Sequence, residues 1–187
     1  MNIGVLGGTF DPPHDAHLRI AERSIDQFSL DKVIFIPSGN PWQKKDATSY
    51  RHRYEMTKIL IGDSNDLEIS DIENSEEKPS YTYETLKKLN HPKEELYFIL
   101  GSDAAINIKT WKNYELLENL TNFLIALRSE DNIDLLENNF PFNYEIISGD
   151  KLDLSSTILR NKLKEKNIEV TDLPSGILTY IKENSLY

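Results

Sequence analysis

The chain has 187 residues, no cysteine and a formal net charge of −10, with 31 acidic against 21 basic residues. The lack of cysteine excludes disulfides, thiolate metal sites and cysteine nucleophiles and fits a reducing cytoplasm. The acidic balance disfavours sequence-independent nucleic-acid binding, which needs Lys and Arg along the phosphates. With no apolar run of about 18 residues and no basic n-region before "NIGVLG", the expectation is a cytoplasmic chain, 1–187, forming one domain off the membrane.

Short β-type runs alternate with helical patterns along the chain. Residues 2–7, "NIGVLG", read as a buried strand. In "HLRIAERSIDQF" (17–28), Leu18, Ala21, Ile25 and Phe28 recur at helical spacing. "KVIFIP" (32–37) is a strand ended by proline, and "YRHRYEMTKILIG" (50–62) a helix closed by Gly62. A strand is predicted over 67–72, a helix over 82–90 and a strand rich in apolar residues over 95–101. A helix over 114–120, strands over 122–127 and 144–147, and terminal helices over 155–166 and 174–186 complete the series. Strands alternating with helices specify an α/β fold: a Rossmann-like, doubly wound parallel sheet with helices on both faces and a C-terminal helical segment from about 155 to 187. In such sheets ligands bind beyond the carboxyl ends of the strands, at the topological switch point.

That place is taken here by "GGTFDPPHDAH" (7–17). Gly7 and Gly8 let the backbone approach a phosphate, and Pro12 and Pro13 stiffen the turn. The spacing is neither GxGxxG nor GxxxxGK[ST], so a dinucleotide or Walker-type reading fails. His14 and His17 are one helical turn apart near a helix N-terminus, where the dipole attracts anions. Taken singly, each histidine reads equally well as an ordinary residue; the ordered string does not. Further on, Ser155, Ser156 and Thr157 open a helix, with Arg160 about a turn later, which is a simple N-cap or an anion site.

Together the two stretches resemble the H-x-G-H nucleotidyltransferase superfamily. The first matches its signature at His14 and His17, with Ala16 in place of the usual glycine; the second is similar to I-S-[ST]-T-x-x-R, with Leu154 for isoleucine. The resemblance implies that His14 and His17 bind nucleotide phosphates and stabilise the transition state, and that Ser155, Ser156, Thr157 and Arg160 grip the β- and γ-phosphates. Gly7, Gly8, Thr9 and Phe10 fall on the ATP side.

Four further segments narrow the resemblance to bacterial nicotinate-nucleotide adenylyltransferases. "PSGNPWQKKD" (37–46) matches P-x-x-x-P-x-x-K, which implies a phosphate contact at Lys44, with Asn40 on the mononucleotide side. "PSYTYETL" (79–86) puts Thr82 at a helix start, which is also an ordinary N-cap. "LGSDAAINIKTW" (100–111) supplies Gly101 and Asp103, the latter a helix cap by local evidence and the ribose-binding aspartate by resemblance. Trp111, by composition a core aromatic, matches the residue that stacks on the nicotinate ring, and N–H groups near Thr82 and Lys112 would receive the ring carboxylate. In "IALRSED" only Arg128 remains of an Arg-Pro-Gly common in the family.

The implied reaction transfers the adenylyl group of ATP to nicotinate mononucleotide, giving deamido-NAD and pyrophosphate in NAD biosynthesis. Mg²⁺ would ride on the ATP phosphates, with no protein metal ligand. The alternatives are pantetheine-phosphate adenylyltransferase, whose chains are shorter and usually carry T-x-G-H, and a non-catalytic nucleotide sensor. A dehydrogenase lacks its glycine fingerprint here.

Overall fold

The structure, a computed structural model, describes residues 1–41, 46–127, 133–150, 154–165 and 173–187. In chain order its strands are β1 (Ile3–Gly8), β2 (Lys32–Pro37), β3 (Leu67–Ile69), β4 (Leu96–Gly101), β5 (Asn122–Ala126) and β6 (Glu145–Ile147). The helices are α1 (Asp15–Phe28), α2 (Tyr50–Ile61), α3 (Thr82–Leu89), α4 (Ser102–Ile106), α5 (Ile133–Asn139), α6 (Ser156–Lys164) and α7 (Ser175–Glu183). All strand pairs are parallel and the order is β3-β2-β1-β4-β5-β6. This is the doubly wound order, with its switch point between β1 and β4.

The strands alternate between two cores because side chains a residue apart face opposite sides of a sheet. Leu6, Val33, Phe35, Ile99 and Leu124 join one cluster with Ala21 of α1, Met56 and Leu60 of α2, Leu159 of α6 and Ile177 and Ile181 of α7. Val5, Ile36, Phe98, Leu100, Phe123 and Ile125 join the other with Leu86 of α3, Ala105 of α4 and Leu136 of α5. Burial on both faces explains why the central strands are near-continuous apolar runs.

Some element boundaries differ from the sequence reading. The first helix begins at Asp15, so His14 is its N-cap and His17 its third residue. The predicted strand over 67–72 pairs only from Leu67 to Ile69. The stretch predicted as a helix over 114–120 is a 3-10 helix, Tyr114–Asn119. Helices α4 and α5, of five and seven residues, are too short to show a full hydrophobic period and escaped the pattern. Among the described residues no helix is long and apolar enough to cross a membrane.

Candidate active site

A cleft of about 690 Å³ opens at the carboxyl ends of β1 and β4. One end is built by the turn after β1. Gly8 packs on the Phe10 ring, 3.0 Å from where a Cβ would stand, so a side chain there would have to displace the ring. Phe10 adopts φ 52°, a left-handed conformation that turns the chain sharply, and its buried ring meets His17 edge-on at 5.0 Å. The turn delivers His14 and His17 to the start of α1 with ring centroids 3.9 Å apart. The backbone N–H of His14 donates to Nδ1 of His17 at 3.2 Å. Nδ1 is thereby held as the acceptor, which assigns the proton of the neutral ring to Nε2.

The other predicted residues distribute as follows. Gly7, Gly8, Thr9, Phe10, His14 and His17 line the cleft with Gly101 and Asp103 from the β4–α4 turn. Ser155, Ser156 and Thr157 line it from the start of α6, where the Ser155 hydroxyl caps the helix by accepting from the Ile158 N–H at 3.2 Å. Thr82, Trp111 and Lys112 close the far end. There Thr82 opens α3, Trp111 packs edge-on against Phe98, and the Lys112 ammonium lies 4.4 Å from the centre of the Tyr81 ring. Ala16 lines the wall as a buried methyl group.

Two predicted residues stand outside that lining. Arg160 sits behind the turn, where Nη1 donates to the Asp11 carbonyl at 2.7 Å and Nη2 to the Thr157 hydroxyl at 3.2 Å. Asn40 uses its amide to hold the Glu76 carbonyl at 2.9 Å. Lys44, Trp42 and Arg128 lie outside the described residues. Among the described residues no three His, Asp or Glu side chains gather at a spacing that would hold a metal ion.

The frame beneath the cleft depends on residues that the sequence reading did not single out. Arg53, 1% exposed, donates to the carbonyls of Thr48 at 2.7 Å, Thr9 at 2.8 Å and Gly39 at 3.1 Å. It thereby ties the loop after β1 to the loop after β2. Burial lowers its pKa, while the nearby Asp11 and Glu76 carboxylates oppose that shift. Its signal was available: Arg53, Met56, Thr57 and Leu60 share the buried stripe of α2, and a charge on such a stripe requires partners. Glu73 likewise borders the cleft, accepting from the Thr85 hydroxyl at 2.5 Å. Burial pushes its carboxyl pKa up, against hydrogen bonds from Thr85, Ser80 and the Gly39 backbone. Gly39 itself passes so close to the backbone of Glu73 and Ser75 that a Cβ would collide with both carbonyls.

Residues 5–162 match the cytidylyltransferase-like family. A Desulfitobacterium hafniense protein named "Probable nicotinate-nucleotide adenylyltransferase" is 38% identical over 99% of this chain and 95% of its own. A Clostridium novyi protein of the same name is 39% identical over 98% of each chain. Among solved structures, Plasmodium falciparum nicotinic acid mononucleotide adenylyltransferase complexed with NaAD superposes with a TM-score of 0.83 at 28% identity, covering 100% of this chain and 97% of that one. Sequence kinship over nearly the full length and the shared fold lead to one conclusion: the chain belongs to the nicotinate-nucleotide adenylyltransferases.

Proposed function

We propose that the cleft joins ATP to nicotinate mononucleotide, with the triphosphate along the His14–His17 and Ser155–Thr157 end and the pyridine ring at the Thr82–Trp111 end. The observation that carries this reading is the histidine pair at the N-terminus of α1, with tilted rings 3.9 Å apart that both line the cleft. A helix N-terminus and two imidazoles are suited to phosphoryl oxygens.

The acceptor phosphate is already an anion at neutral pH, so the reaction needs neither a general base nor a covalent enzyme intermediate. A phosphate oxygen attacks the α-phosphorus in line, the bond to the bridging oxygen breaks, and pyrophosphate leaves with the electron pair. The protein's contribution is positioning and charge stabilisation. Nε2 of His17, fixed as a donor, and His14 serve the α-phosphoryl oxygens, while the Ser155–Thr157 helix start and Arg160 serve the leaving pyrophosphate. Asp103 is assigned to a ribose, Lys44 to a phosphate contact and Asn40 to the mononucleotide. Mg²⁺ enters as part of the ATP substrate, carried by its phosphates. The reducing cytoplasm suits a chain without cysteine.

The reading is tested by measuring pyrophosphate release from ATP in the presence of nicotinate mononucleotide, nicotinamide mononucleotide or phosphopantetheine. Release that requires nicotinate mononucleotide is expected. Release with phosphopantetheine alone would make the chain a pantetheine-phosphate adenylyltransferase, and no release with any acceptor would make it a nucleotide sensor. In the same assay Arg160→Ala is expected to raise KM for ATP about tenfold, the size of a lost charge-assisted hydrogen bond, with a smaller change for the mononucleotide. Unchanged kinetic constants for ATP would remove Arg160 from the site.

A further inference from the structure

The turn that carries the two histidines is held from behind by a residue far away in sequence. Asp11 is 3% exposed, yet its carboxylate is placed among donors from two other parts of the chain. Oδ1 accepts from the Tyr187 hydroxyl at 2.5 Å, and Oδ2 from the Thr48 N–H at 3.2 Å. The neighbouring Pro12 carbonyl accepts from the Ser156 hydroxyl at 2.9 Å. The Tyr187 ring packs against the core beside α6 and α7 and is not part of the cleft lining. Burial, then the hydrogen bond to Asp11 and its charge, raise the Tyr187 pKa against smaller opposing effects of Thr48 and Arg160, which keeps the phenol protonated as a donor.

We propose that Tyr187 is a positioning residue for catalysis: through Asp11, its hydroxyl fixes the turn from which His14 and His17 meet the phosphates. This rests on the reading that those histidines bind the reacting phosphates. Tyr187 touches no substrate. Its hydrogen bond to Asp11 joins the segment after α7 to the turn after β1, and Thr48, which bonds both Asp11 and the Tyr187 hydroxyl, brings the loop before α2 into the same junction. Three covalently distant segments therefore meet at one buried carboxylate. The histidines begin three residues beyond it, and a displacement of about 1 Å in a catalytic group can cost up to a hundredfold in rate.

The test is Tyr187→Phe, which keeps the ring in the core and removes only the hydroxyl. Its kcat is expected to fall about tenfold, with KM for nicotinate mononucleotide unchanged and the unfolding midpoint well above the assay temperature. In ¹H–¹⁵N spectra of the histidine rings, the His14 and His17 signals are expected to move while His91 stays in place. His91 serves as the internal reference because its Nε2 contacts the Met1 carbonyl at 3.0 Å, before β1 begins and away from the cleft. A purely packing role for Tyr187 predicts wild-type kcat in Tyr187→Phe and a loss only in Tyr187→Ala, which would overturn the proposal. A fall in kcat with unmoved His14 and His17 signals would also overturn it. His17→Ala is run alongside: if it retains turnover, the phosphate reading fails and the proposal with it. If His17→Ala is inactive and Tyr187→Phe is not impaired, only the positioning role of Tyr187 fails.

Discussion

His17→Ala is expected to lower kcat by about 10²–10³-fold while the protein remains folded. Nδ1 of His17 is occupied by the His14 backbone N–H, so the ring is fixed in place before substrate arrives and its Nε2 donor needs no reorganisation. A preorganised donor of that kind stabilises charge that develops only in the transition state, so its removal falls on kcat rather than on binding. The structural cost is smaller. Alanine removes the acceptor for one N–H at the start of α1, a capping loss of about 1 kcal/mol, and the partly exposed side chain leaves no sealed cavity. His14→Ala is expected to lower turnover comparably, since its ring shares the same face at 3.9 Å. The measurement is kcat for pyrophosphate release beside a thermal unfolding curve. Near-normal turnover in a folded His17→Ala protein would remove the histidine pair from the mechanism.

Much of this arrangement is legible in the sequence, for identifiable physical reasons. The six strands announce themselves because a parallel sheet buried on both faces requires apolar runs such as "KVIFIP" and "ELYFILG". The residues of the β1–α1 turn and of α6 that line the cleft stood out because their local composition is unusual: glycine, proline, histidine and clustered hydroxyls at helix starts. The far end of the cleft at Thr82 and Trp111 was reached by resemblance, since each residue alone reads as a cap or a core aromatic.

The supporting frame was less legible because its partners are distant in sequence. Asp11 and Tyr187 are separated by 176 positions and Arg53 reaches Thr9 across 44, so no local pattern joins them. Only a charged residue on the apolar stripe of α2 indicated that such a junction existed. The assignment of Arg160 to the triphosphate also gains a second aspect. Its side chain holds the Asp11 carbonyl, so a phosphate drawn toward Arg160 would be felt directly by the turn that carries the histidines.

The acceptor preference should be equally pronounced: kcat/KM for nicotinate mononucleotide is expected to exceed that for nicotinamide mononucleotide by about a hundredfold. The far end of the cleft is bounded by the start of α3 at Thr82, whose first N–H groups and dipole favour an anion. The Lys112 ammonium, resting 4.4 Å from the centre of the Tyr81 ring, adds positive charge to the same rim. A ring carboxylate accepts from such donors with both oxygens. A carboxamide is neutral and offers one oxygen, and its NH₂ faces donors it cannot satisfy. Each donor left unpaired costs on the order of 1–3 kcal/mol, and two of them at 1.4 kcal/mol per decade give the hundredfold figure. Trp111 contributes differently. If its half-buried ring, braced edge-on by Phe98 at 6.2 Å, stacks on the pyridine as proposed, it does so for either acceptor, since stacking does not distinguish acid from amide. Trp111→Ala is therefore expected to weaken both acceptors and to leave their ratio in place. The two acceptors are compared with ATP in excess, on the native protein and on Trp111→Ala. Equal values for acid and amide would show that the ring carboxylate is not read at the start of α3, even with adenylyl transfer intact.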